Sequence, residues 1–184
     1  MGAAISGVGG RARYERAGSL RQRHEPGKHL PRSGLETSVL IDTSTLLRTL
    51  QVRHPQHEIA TRALEVLPGR GRTLHIVPQN LVELWVVATR PVEQNGLGMS
   101  PEAAALELLR LKSMFELLPD VPAIFSAWER LVTEHRVSGK PAHDARLVAA
   151  MQAHGLSAIL TFDESGFTRY PGVEVVHPAT VLAP

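Results

Sequence analysis

From residue 38 onward, short apolar runs alternate with stretches of helical periodicity, and this alternation confines the chain to few folds. Val39-Leu40-Ile41 is an unbroken apolar run stopped by Asp42, the pattern of a strand buried on both faces. Further short runs at 74–77, 115–118, 158–162 and 173–176 read as strands. Helical segments are predicted over 45–52, 55–67, 78–88, 100–113 and 141–154. Ile124, Phe125, Trp128, Leu131, Val132 and His135 recur at one-faced helical spacing. The punctuation agrees. Thr43 and Ser44 are placed to cap the first helix, Pro68-Gly69 to end the second, Ser100-Pro101 to open a later one and Gly155 to stop the last. Residues 91–99 form a Gly-rich loop. Strands alternating with helices predict an α/β domain with a mainly parallel sheet of about five strands. Ligands of such sheets bind beyond the carboxyl ends of the strands.

Four acids point to that edge. Asp42 and Asp163 each follow a strand, although an Asp there is often only turn chemistry. Glu83 is the only charge in Leu81-Val82-Glu83-Leu84-Trp85-Val86-Val87-Ala88, which reads as a buried helix. A buried carboxylate costs several kcal/mol unless paired or metal-bound. The bland alternative is an ion pair with Arg48 or Arg90. Asp144 lies one turn into the helix opened by Pro141, where it also suits the helix dipole. Clustered carboxylates repel and raise one another's pKa, and a hard divalent cation removes the conflict. Oxygen-only ligation suits Mg²⁺ or Mn²⁺. His143 raises the thought of zinc, but neighbours in sequence do not share a helix face.

Composition narrows the options. The chain has 184 residues and no Cys, so disulfides, thiolate zinc sites and Cys nucleophiles are excluded. The length suits one domain, with no apolar run of membrane-spanning length. Residues 1–36 hold seven basic and three acidic residues, net +4, which leaves −2 for the remainder of a chain whose formal charge is +2. The basic character is therefore a property of this segment. It is rich in Gly, Ser and Arg and reads as a disordered extension, or as the product of a start set upstream of the true one at 35–38. Met1-Gly2-Ala3-Ala4-Ile5-Ser6 also fits the loose myristoylation pattern. The expected setting is the cytoplasm.

Val39-Leu40-Ile41-Asp42-Thr43-Ser44, Asn80-Leu81-Val82-Glu83, His143-Asp144-Ala145 and Leu160-Thr161-Phe162-Asp163 together resemble the motifs of PIN-domain ribonucleases. The similarity is closest to VapC-like toxins of toxin–antitoxin pairs and covers residues 38–182. It implies a three-layer α/β/α fold and a metal-dependent nuclease site with Asp42, Glu83, Asp144 and Asp163 as the acidic quartet. Thr43, Ser44 and Thr161 fall where small polar residues orient an acid or a water, which adds Thr161 to the catalytic set and Ser44 to the substrate contacts. The resemblance further implies looped or single-stranded RNA as substrate, an antitoxin that blocks the cleft, and a homodimer through apolar helices. The expected hydrolysis leaves a 5′-phosphate and a 3′-hydroxyl.

Lys140 and Arg146 flank Asp144, and Arg48 follows the first acidic strand end; each is a candidate phosphate contact or an ordinary solvated cation. The turn at Gly139-Lys140-Pro141 is the strongest of these, because it opens a helix. Trp85 and Trp128 have the spacing of core residues rather than base-stacking platforms. Competing folds fit poorly. A haloacid-dehalogenase-type phosphotransferase needs a second Asp where Ser44 stands, and the first strand is followed by neither a G-x-G-x-x-G turn nor a P-loop. A silent binding module and a DNA-acting nuclease with the same acids are the remaining alternatives.

Overall fold

The computed structural model describes residues 37–183. The expected extension at 1–36 and its myristoylation pattern lie outside the described residues. The elements run β1 (Ser38–Ile41), α1 (Thr43–Leu50), α2 (His57–Gly69), β2 (Thr73–Ile76), α3 (Pro78–Thr89), α4 (Pro101–Met114), β3 (Glu116–Leu117), α5 (Pro122–Glu134), α6 (Pro141–His154), β4 (Ala158–Leu160), β5 (Glu174–Val176) and α7 (Pro178–Val181).

The five strands form one sheet in the order β3-β2-β1-β4-β5, every pair parallel. Successive side chains of a strand face opposite ways, so each central strand feeds two cores. Val39 and Ile41 pack with Leu46, Leu64, Leu67, Leu84 and Leu111 of helices α1–α4. Leu40 and Ile159 pack on the other face with Ile124, Leu131, Val148 and Met151 of α5 and α6. The result is a three-layer α/β/α domain. Both faces of β1 are covered and all four of its residues are buried, which is why Val39-Leu40-Ile41 is an unbroken apolar run.

The chain leaves β1 toward β2 on one side, whereas β4 lies on the other. The strand order reverses between β1 and β4, and the carboxyl ends of strands at such a switch point are where open α/β sheets bind ligands. Ile41 is in register with Leu160, and the amide of Asp42 donates to the Leu160 carbonyl at 3.0 Å.

Several boundaries differ from expectation. Helix α1 begins at Thr43 with Asp42 in the N-cap position; the hydroxyls of Thr43 and Ser44 are turned to carboxylates and cap nothing. Helix α2 starts two residues late and runs through Pro68 to Gly69. Strand β3 is only two residues long, because only Glu116 and Leu117 find partners on β2. Helix α7 carries too short a pattern to be read from sequence. Helix α3 is not buried all round: Val82 and Val86 are exposed, and only Leu84 and Ala88 of its apolar run lie in the core.

Candidate active site

Asp42 is buried at the end of β1. Its Oδ2 accepts from Thr161 Oγ1 at 2.8 Å and from the hydroxyl of Ser44. Burial raises the Asp42 pKa; the Ser44 and Thr161 hydroxyls oppose this, and the Glu83 charge adds to it. Thr161 follows β4, and its Oγ1 also accepts the backbone N–H of Asp163 at 2.9 Å. One buried hydroxyl thus joins two acidic strand ends. Asp163 itself is exposed, and its Oδ1 accepts from Ser165 Oγ at 2.6 Å.

Glu83 reaches from α3 to the residue after Asp42. Both of its oxygens are held: Oε2 accepts from Thr43 Oγ1 at 2.7 Å, and Oε1 accepts from Gln79 Nε2 at 2.7 Å. Its side chain is 26% exposed, and His143 Nδ1 stands 3.2 Å from Oε1. Among the described residues no Arg pairs with it. Arg48 is turned instead to Gln56 Oε1 at 2.9 Å and to Gln51 Oε1 at 2.5 Å.

Asp144 enters from the first turn of α6. Its pKa is pushed up to about 6, first by burial and then by the charges of Asp42, Asp163 and Glu83, with His143 opposing. Each of the other three acids is therefore electrostatically felt at Asp144. The backbone of the loop after Asp163 closes on the same carboxylate: a Cβ on Gly166 would lie 3.0 Å from Asp144 Oδ2.

The sequence matches the PIN domain family over residues 39–173. The chain belongs to the PIN-domain family. Solved structures share its fold. VapBC2 from Rickettsia felis, bound to a DNA fragment from its promoter, is 16% identical with a TM-score of 0.58, over 76% of this chain and 98% of the other. DNA-bound VapBC from Salmonella typhimurium is 17% identical with a TM-score of 0.56, over 77% and 98%. VapC20 from Mycobacterium tuberculosis, a Sarcin-Ricin loop cleaving toxin, is 19% identical with a TM-score of 0.54, over 74% and 98%. No curated relative matches the sequence.

In this PIN domain the expected quartet Asp42, Glu83, Asp144 and Asp163 comes from four separate elements, and Asp144 feels the charge of the other three. The expected phosphate contacts are less free. Arg146 donates to Gln79 Oε1 at 3.1 Å and to Asp120 Oδ2 at 2.9 Å, and Ser44 is committed to Asp42. Lys140 is exposed at the N-terminal end of α6. Trp85 is partly buried against one core, and Trp128, partly buried against the other, donates from Nε1 to the Ala142 carbonyl at 2.9 Å.

Three polar residues of the PIN domain site escaped the sequence reading. Asn80 is fully buried; it accepts from the Val77 amide at 2.8 Å and donates to the Ile41 carbonyl and Thr43 Oγ1, both at 3.1 Å. It stitches the start of α3 to the end of β1. Its place three residues before Glu83, in the first turn after Pro78, was the available signal. Gln79 had no signal beyond its neighbourhood. His143 was set aside because it does not share a face with Asp144, yet its ring reaches Glu83 across the gap between α6 and α3. Helical phase decides which residues of one helix align; it does not decide what a side chain meets on another.

Proposed function

We propose that this PIN domain is a metal-dependent endoribonuclease that hydrolyses RNA to 5′-phosphate and 3′-hydroxyl ends, and that it is the toxin of a toxin–antitoxin pair. The observation that carries the reading is Asp144, held at a pKa of about 6 by burial and by three other carboxylates. A half-buried carboxylate that feels three other acids has no evident structural use, and a carboxylate perturbed by burial and specific charges is a functional-site candidate.

The donors are all carboxylate oxygens, the chemistry of Mg²⁺ or Mn²⁺. Among the described residues no three His, Asp or Glu side chains already stand as a group able to hold an ion. The fit is therefore one of donor type and charge. Asp42, Glu83 and Asp144 would hold the main ion, and Asp163 a second ion or the attacking water. When bound, the cation offsets phosphate charge, activates water and stabilises the leaving oxygen.

The chain's own residues do the rest. Ser44 and Thr161 hold the Asp42 carboxylate in one orientation at the end of β1. Thr43 and Gln79 fix the rotamer of Glu83. Asp144, with its raised pKa, would hold a cation in its deprotonated form. Thr161 has its hydroxyl committed on both sides and works through Asp42 instead of touching the substrate. Exposed Lys140 at the mouth of α6 is the best-placed phosphate contact.

The neighbouring folds that are VapBC complexes, and the one that is a Sarcin-Ricin loop cleaving toxin, support a toxin acting on a structured RNA loop and held by an antitoxin in the cytoplasm. No described helix is long and apolar enough to cross a membrane. Val82 and Val86 on α3, with Leu106 and Leu109 on the adjoining α4, leave apolar side chains exposed that suit a homodimer.

Cleavage of a mixed RNA pool tests the reading. Wild type should cut with Mg²⁺ or Mn²⁺, stop in EDTA and leave 5′-phosphates. Asp144→Asn should lose at least about a hundredfold in rate. Products ending in a 2′,3′-cyclic phosphate would exclude the mechanism. Folded protein that binds Mg²⁺ but cuts only DNA would replace the substrate, and one that binds no divalent ion would be a silent binding module.

A further inference from the structure

Gln79 occupies an unusual position for a neutral side chain. It is buried, at 7% exposure, and all of its principal hydrogen-bonding directions are taken. Nε2 donates to Glu83 Oε1 at 2.7 Å and to the backbone carbonyl of His143 at 2.9 Å, and Oε1 accepts from Arg146 Nη1 at 3.1 Å. Arg146 is anchored at its far end by Asp120, at 2.9 Å. The chain Asp120–Arg146–Gln79–Glu83 therefore runs from the surface to the acidic cluster.

The polarity of this chain is forced. A guanidinium only donates, and an ionised carboxylate only accepts. With Arg146 on one side, the amide oxygen must face Arg146 and the NH₂ must face Glu83. A flipped amide would set NH₂ against guanidinium and oxygen against both a carboxylate and a carbonyl. Arg146 on one side and the two acceptors on the other thus fix together which end of Gln79 meets Glu83. The second donor of Gln79 ties α3 to the first turn of α6, one residue from Asp144. A single amide sets the spacing between the elements that carry two of the four acids.

We infer that Gln79 is a positioning residue for the acidic site, and that Arg146 serves the site through Gln79 and not by holding substrate phosphate. This rests on the nuclease reading above. Partners that orient metal-binding side chains in this way are worth about 10–100-fold in metal affinity.

The test compares wild type, Gln79→Met, Arg146→Ala and the double variant. Mn²⁺ affinity is read by calorimetry, and RNA affinity is read in EDTA. Each single variant should weaken Mn²⁺ binding about tenfold. The double variant should be no weaker than the worse single, because both changes break one chain. RNA affinity without metal should stay the same, and kcat should fall while KM holds. Arg146 lies on the partly exposed side, so its variant is expected to fold even where Gln79→Met does not. Unchanged Mn²⁺ affinity with weaker RNA binding in Arg146→Ala would overturn the inference and make Arg146 a phosphate contact. The side-chain amide signals of Gln79 in metal-free protein give a reading independent of catalysis. They should shift in Arg146→Ala; if they do not, the chain does not exist. If they shift while wild type binds no Mn²⁺, the orienting chain stands and the nuclease reading fails.

Discussion

Thr161 Oγ1 donates to Asp42 Oδ2 across 2.8 Å, between residues 119 apart in the chain. The same oxygen accepts the amide of Asp163 at 2.9 Å. A hydroxyl can both donate and accept, and here both capacities are spent on the two acids at the ends of neighbouring strands.

Thr161→Val keeps the shape and removes both bonds. Asp42 then loses a donor while staying buried, so its pKa rises further. The expected outcome is a loss of about 1–3 kcal/mol in urea unfolding and a clear drop in divalent-ion affinity. Thr161→Ser should restore most of both. A valine variant with wild-type metal affinity would sink the positioning role.

Gly166 is required by space and not by backbone angle. Its φ lies outside the left-handed region, yet an added Cβ would approach Asp144 Oδ2 to 3.0 Å and Cγ to 3.3 Å. Gly166→Ala should therefore fold normally and displace the Asp144 carboxylate. We expect a melting temperature within about 4 °C of wild type, a shift worth less than about 1 kcal/mol, together with weaker metal binding and slower cleavage. A crystal structure of the variant with Asp144 unmoved would refute this.

Asp144 should make the metal-free protein less stable as pH rises. Its folded pKa of about 6 stands above the ordinary value of 3.8. The folded state therefore holds the extra proton between these values. The stabilisation is full below about pH 4 and is lost as pH climbs through 6. Asp144→Asn, neutral throughout, should be about 1–3 kcal/mol more stable than wild type at pH 8 without metal. Mg²⁺ should raise the melting temperature of wild type and leave the variant unmoved. Below pH 6, metal affinity should fall about tenfold per unit, since each ion must displace the proton.

His75 gives the opposite slope. Its side chain is 1% exposed in the middle of β2; neither ring nitrogen makes a hydrogen bond, and Nδ1 lies 3.5 Å from Glu116 Oε2. Burial lowers its pKa below 6.5, against a partial pull from Glu116. The unfolded chain therefore binds the proton first as pH falls. Stability attributable to His75 is full above about pH 6.5 and declines below it, by up to about 1.4 kcal/mol per unit. Urea denaturation of His75→Leu between pH 5 and 7 should show this slope removed. An unchanged slope would show that other groups carry it.

Much of this protein was legible in one dimension. Val39-Leu40-Ile41-Asp42 declared a strand buried on both faces with an acid at its end. Helix α6 was bounded by Pro141 and Gly155 as expected, and the alternation of elements required a parallel sheet. These are local properties: side-chain period, caps and breakers act within a few residues and so are written in sequence. Where local signals were short, as in β3 and α7, the reading blurred.

What the sequence did not determine was who faces whom. Glu83 had Arg48 and Arg90 as possible partners and met Thr43, Gln79 and His143 instead. Arg146 reads from sequence as a phosphate contact or an ordinary solvated cation, and it is bound to Asp120 and Gln79. The run around Glu83 read as buried on every side, yet Val82 and Val86 face outward. Each of these outcomes depends on where α3 and α6 dock on the sheet. That docking is set by the packing of two cores at once, by contacts tens of residues apart in the chain. The sequence alone determined most of the elements and where each of the four acids falls along them. The tertiary structure decided the pairing of each polar group, because a hydrogen bond is settled within an ångström and no local pattern carries that precision across the chain.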